Sequence, residues 1–215
     1  MNKLLSFHND ASIKEKYLNR VKQHQKADNI IQSQGWSNGK GCAIGCTLEN
    51  YDRTRYPIEL GIPIEIAILE DCIFEGLDLE TAKKWPARFL NAVPVGADLK
   101  MVFPKFGLWL LEDYIPSEYK KMPEIKSVIE LYQKLVNGEI TRKEALDLDR
   151  ALARALARAL DLDLARALDL VRALARALAL DRARALALAL DLAQNRSLFW
   201  VKCSDKLIDI IKENK

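Results

Sequence analysis

Glycine stops at Gly138 and proline at Pro123, so the C-terminal third of this 215-residue chain has neither of the usual markers of turns. Only four cysteines are present, Cys42, Cys46, Cys72 and Cys203, and their irregular spacing argues against a disulfide framework. Nowhere do 18 apolar residues follow one another without a charge, which argues against a membrane-spanning helix. The opening MNKLLSFHND carries too short an apolar run for a secretory signal. A formal charge of +3, without a strongly basic patch, argues against nucleic acid as the main partner. These absences predict a soluble cytoplasmic protein made of one domain, or one domain with an appendage.

Residues 145–193 use only Ala, Leu, Arg and Asp, with Val171 the single exception. Ala or Asp fills the other odd positions and Leu or Arg every even one. Strict alternation is the mark of a half-buried strand, but these residue types are helix formers rather than β-branched or aromatic. At 100° per residue, Leu152, Leu156, Leu160, Leu170, Leu174, Leu178, Leu188 and Leu192 gather in one sector. Arg154, Arg158, Arg166, Arg172, Arg176 and Arg184 gather opposite them. The seam recurs after 18 residues, from Leu152 to Leu170 to Leu188. Eighteen residues make five turns at ~3.6 residues per turn, which predicts a straight helix. Such a helix would span about 74 Å, far beyond a globule with a radius of gyration near ~17 Å. It must therefore protrude, pair with another copy, or fold back as a hairpin, for which Asp161-Leu162-Asp163 is the best break point.

Before the repeat, Ser12 and Glu15 read as a capping box, opening a helix with an apolar stripe at Ile13, Tyr17, Val21 and Ile31 that ends at Gly35. Asn38-Gly39 predicts a small hairpin. Ile64 to Phe74 is an apolar helical run after Pro63, closed by Gly76. Asp78 caps a short helix through Lys84, and Pro86 restarts it toward Ala92. Further helices are expected from Pro104 or Lys105 to Asp113, from Pro123 to Val136, and over 198–213; Thr141 and Glu144 form a capping box at the start of the repeat. The class is all-α: a helical N-terminal domain (1–140), then a long C-terminal repeat helix or helical hairpin with a closing helix (141–215).

Chemistry concentrates in the Gly- and Cys-rich stretch 36–47. Gly39, Gly41 and Gly45 would let backbone N–H groups converge on an anion, with Lys40 adding charge; the plainer reading is a tight connection. The G-x-G-x-x-x-G spacing matches neither a dinucleotide fingerprint nor a P-loop. Cys42 and Cys46 form C-x-x-x-C, and His8, His24, Cys72 and Cys203 supply no metal-type spacing around them, so no metal or cofactor is expected. A nucleophilic cysteine with His8 or His24 as base is the sharper alternative to two small buried hydrophobes. Asp28, one turn after His24, would orient its imidazole. Glu70, Asp71 and Glu75 cluster on a helix, but without the E-x-x-H of a di-metal carboxylate site. Trp36, Trp85, Trp109 and Trp200 read as core or seam packing.

The segments GKGCAIGCTL, LGIPIEIAILEDCIFEGL and AKKWPARFLNAVPVGADL resemble a group of uncharacterised bacterial and phage proteins that join a similar N-terminal region to an Ala-rich helical tail. The resemblance spans about residues 8–112 in detail and implies no catalytic residue. The tail here is more apolar, with sixteen Leu in residues 145–193, more than one helix face buries. A non-enzymatic interaction or scaffold protein is therefore expected, packing and forming a homo-oligomer through the Leu seam. The alternative is a small-molecule- or anion-binding enzyme centred on 36–47, with Gly39, Lys40, Gly41, Cys42, Gly45, Cys46 and His24 as candidate ligand-binding residues.

Overall fold

The computed structural model describes residues 3–114, 120–121, 123–141, 143–144 and 196–214. The expected repeat helix or hairpin over 145–193, its break at Asp161-Leu162-Asp163 and its seam lie outside these residues. Within them the fold is all-α: eight α-helices accompany a single two-stranded hairpin. None of the described helices is long and apolar enough to cross a membrane.

The first helix, α1 (Ala11–Lys26), is capped by Asp10 rather than Ser12. The Asp10 carboxylate accepts from Ser12 N at 2.8 Å and from the Ser12 hydroxyl at 2.7 Å, so an ionised acceptor displaces the Ser12–Glu15 box. Tyr17 and Val21 are buried as the stripe predicts. The helix stops at Lys26, well before Gly35, because Asp28 takes the left-handed turn (φ 54°). Ile31 is therefore off the helix: its N–H donates to the Gly41 carbonyl at 2.9 Å, and Gly41 N donates to Asn29 O at 3.0 Å. Ahead of α1, Phe7, His8 and Asn9 form an unusual left-handed turn (φ 51°, 51° and 60°). Buried Phe7 and the bonds of Ser6 to Ala97 and Gly96 hold it in place.

Trp36–Ser37 (β1) and Lys40–Gly41 (β2) pair antiparallel about Asn38 and Gly39, both at positive φ, as the two-residue turn requires. Next comes α2 (Ala43–Leu48), a helix hidden by its glycine, with all six residues buried. After α3 (Arg55–Leu60), α4 (Ile64–Gly76) begins behind Pro63, and α5 (Leu79–Ala92) begins behind Asp78, whose side chain accepts from Thr81 N at 3.0 Å. Pro86 does not interrupt α5: the lost backbone bond is offset by burial of Trp85, Pro86, Phe89 and Leu90 along one continuous helix.

The chain forms two compact units, Met1–Val102 with Ala193–Lys215, and Phe103–Leu192. In the first, α4 and α5 pack together, α1 lies on α5 and α2, and α2 lies on α4. The closing helix α8 (Arg196–Lys212) joins this unit, packing on α4 and α5 with Trp200, Cys203, Leu207 and Ile210 buried. Arg88 ties α5 to it through Asp205 at 2.6 Å. In the second unit, α6 (Val102–Asp113) and α7 (Pro123–Val136) meet where Gly107 faces the Tyr132 ring. The Thr141–Glu144 capping box is formed: Thr141 N donates to Glu144 Oε2 at 2.7 Å and Glu144 N to Thr141 Oγ1 at 3.3 Å.

Gly76 is where α8 docks, since a Cβ there would lie 2.1 Å from the Trp200 ring. Gly76→Ala should lower stability by about 1–3 kcal/mol in urea unfolding. Trp200→Ala should largely remove that penalty, giving a non-additive double-mutant cycle.

Candidate functional site

The Gly- and Cys-rich stretch folds so tightly that its glycines are needed for packing. A Cβ on Gly45 would lie 1.9 Å from the Gly35 carbonyl oxygen, and one on Gly41 would lie 2.3 Å from the same atom. Only residues without side chains let α2 and the hairpin close on that carbonyl. The Gly41 N–H is bound to Asn29 O, and the Cys42 N–H to Gln34 O at 2.7 Å, so these two amides are committed to the backbone. Gly39 and Lys40 are exposed at the hairpin tip.

Neither cysteine meets a histidine base. Cys46 donates its thiol to the carbonyls of Gly41 (3.3 Å) and Asn29 (3.6 Å), and burial pushes it up to about 12. His24 stands edge-on to Trp36 at 5.3 Å, with Nε2 3.5 Å from Glu49 Oε1. Asp28 does not orient it, being paired with Lys83 at 2.7 Å. His8 sits with the Ile58 carbonyl at 2.9 Å. The fold thus brings His24 to the edge of the predicted segment through Trp36, and leaves His8 on another contact.

What Cys42 meets instead is acidic. Its Sγ and one carboxylate oxygen each from Asp71 and Glu75 lie within 4.8 Å of one another. Cys42 is placed by its position at the N-cap of α2, and Asp71 and Glu75 by their i,i+4 spacing on α4. Both Glu75 oxygens accept from Ser33 N, at 3.1 and 2.8 Å. Asp71 Oδ2 accepts from Arg53 Nη2 at 2.8 Å and from the Tyr51 hydroxyl at 3.0 Å. Asp71 Oδ1, buried, has no hydrogen-bond partner beyond the facing Cys42 thiol. Beside it Glu70, fully buried, accepts from the Tyr56 hydroxyl at 2.7 Å through Oε2, while Oε1 has no partner. The Trp85 indole N–H holds the Glu70 backbone carbonyl at 3.0 Å.

Burial sets the electrostatics. It raises the Cys42 thiol well above its ordinary value, and the Asp71 charge adds to it, against a smaller pull from the Gly45 and Ile44 amides. Burial, then Asp71, pushes the Tyr51 phenol up to about 12. For Arg53 burial works against the charge, yet Asp71 and Tyr51 raise its pKa overall. Glu70 lies well above the carboxylate range because it is buried, with the Asp71 charge adding to the effect and the Tyr56 hydrogen bond opposing it. Buried and raised groups gathered in this way distinguish the cluster from the rest of the described residues. Sequence reasoning found Cys42 and the three acids separately but did not join them. The available signal was Glu70-Asp71 lying inside the apolar run from Ile64 to Phe74.

No family model matches the chain, and no curated protein or solved structure matches it.

Two predictions follow the packing and the charges. Gly45→Ala should destabilise the protein by about 2 kcal/mol or more, because backbone must move, whereas Gly39→Ala meets open space and should lose only about 1 kcal/mol to its positive φ; urea midpoints distinguish them. Glu70 has a folded pKa above its unfolded value near 4.5, so between the two the folded state holds more protons. Stability must fall as pH rises through that window. The melting temperature of Glu70→Gln, which cannot ionise, should drop less than that of wild type between about pH 5 and pH 7.

Proposed function

We propose that the protein is a non-enzymatic interaction protein that self-associates through its Leu-rich segment, 145–193, and carries a folded helical unit beside it. The observation behind this reading is the fate of the seam face on α8. On an unbroken helix Phe199, Cys203, Leu207 and Ile210 would continue the Leu register; the last three are buried where α8 packs on α4 and α5, and Phe199 is half-buried. The folded unit thus completes its own core with α8, and the sixteen Leu of the segment, more than one helix face buries, call for an apolar partner of their own. A second copy supplies one, because an 18-residue seam is self-similar and suits a symmetric contact. The chemistry of 36–47 supports the same choice: both thiols there are raised rather than activated, and the described contacts of the two histidines are with Trp36, Glu49 and Ile58 rather than with a cysteine.

The second reading, a small-molecule or anion site at 36–47, gains support from one observation, the buried acids behind Cys42. Those acids favour a cation over an anion.

Light scattering of the full chain at micromolar concentration should give at least twice the monomer mass of 24.4 kDa. Leu170→Asp with Leu188→Asp should shift it to monomer while leaving the thermal transition of the folded unit in place. A strictly monomeric wild type removes the proposal.

A further inference from the structure

We propose that Cys42, Asp71 and Glu75 form a binding site for a borderline divalent cation of the Zn²⁺ type, independent of self-association. Three donors of the right kinds converge within 4.8 Å, one sulfur and two carboxylates. Cys42 caps α2 and the two acids lie on α4, and α2 packs on α4. Thiolate with carboxylate is a donor set that Mg²⁺ and Ca²⁺ avoid and Zn²⁺ accepts.

A second, independent feature points to a ligand. Asp71 commits Oδ2 to Arg53 and Tyr51, but its Oδ1, on a side chain only 5% exposed, has no hydrogen-bond partner beyond the facing Cys42 thiol. An unsatisfied buried carboxylate oxygen is unfavourable unless something positive fills its lone pairs. That oxygen belongs to the same carboxylate that faces Cys42 and Glu75. Arg53 and Tyr51 fix the carboxylate from behind, as outer partners of metal ligands do. Ser33 N does the same for Glu75.

Arg53 pairs with Asp71 at 2.8 Å and so offsets part of the negative charge that a thiolate and two carboxylates would gather. On binding, the Cys42 S–H proton leaves to solvent and a sulfur–metal bond forms, with no change of oxidation state. Because that proton must leave, affinity climbs with pH. Three protein donors leave a fourth position for water, the arrangement of an open rather than a closed zinc site.

The test is titration of the full-length reduced protein with Co²⁺, following thiolate-to-metal charge transfer, then displacement by Zn²⁺. Wild type should bind one equivalent with charge transfer and release about one proton. Cys42→Ser should abolish the charge-transfer band, and Asp71→Asn and Glu75→Gln should each weaken binding by roughly tenfold or more. Cys203→Ser should bind like wild type. Glu75, half-buried, is the variant least able to harm folding, and circular dichroism checks each protein. Absence of stoichiometric binding by wild type overturns the proposal. So does charge transfer that survives in Cys42→Ser, or a folded Glu75→Gln protein that binds as tightly as wild type.

Discussion

The contact on which most of the first unit depends is the approach of α2 to the carbonyl of Gly35. Two glycines, Gly41 and Gly45, present bare backbone to one oxygen, and nothing larger than hydrogen fits there. That contact sets where the hairpin ends and where α2 starts, and so where the Cys42 sulfur lies. Because α2 is buried on all sides, it has no freedom to settle elsewhere. Its neighbour α4 then brings two acids into the interior at a fixed distance from that sulfur.

A helix as apolar as α4 does not admit Glu70 and Asp71 without an offset. Each acid is met by a tyrosine hydroxyl, Tyr56 for Glu70 and Tyr51 for Asp71, and Arg53 adds a guanidinium to the second. Yet each retains an oxygen that no hydroxyl or guanidinium meets. Burying charge in this way weakens a core unless the geometry is well satisfied. The two glutamates of the cluster sit differently: Glu70 is buried in the core against Tyr56, and Glu75 lies at the edge, bound to Ser33.

Much of the fold was legible in local chemistry. Asn38-Gly39 encodes its turn, Asp78 its cap, the apolar run its helix, and Thr141 with Glu144 their box. Three features were not. The end of α1 depends on Asp28 adopting a conformation that any sequence rule assigns first to glycine. The helix α2 contains Gly45 and only six residues, so its stability comes from burial rather than propensity. Pro86 reads as a break until its neighbours are seen in the core. The site was half legible: Cys42 stood out by its company of glycines and Asp71 by being charged among Ile and Leu. Their meeting is a tertiary contact between residues 29 positions apart, which no spacing rule reaches.

Helix α8 completes a core begun by residues more than a hundred positions earlier, as the Arg88–Asp205 pair shows. During synthesis, the surface of α4 and α5 that α8 covers must wait while the whole second unit is made. At ~5–20 residues per second that interval is on the order of 5–20 s. For that time Gly76 and its neighbours present apolar surface with no cover, and the nascent chain is open to chaperones or to premature association. The order of the sequence therefore makes the N-terminal unit the last to close, although it is the first to be translated.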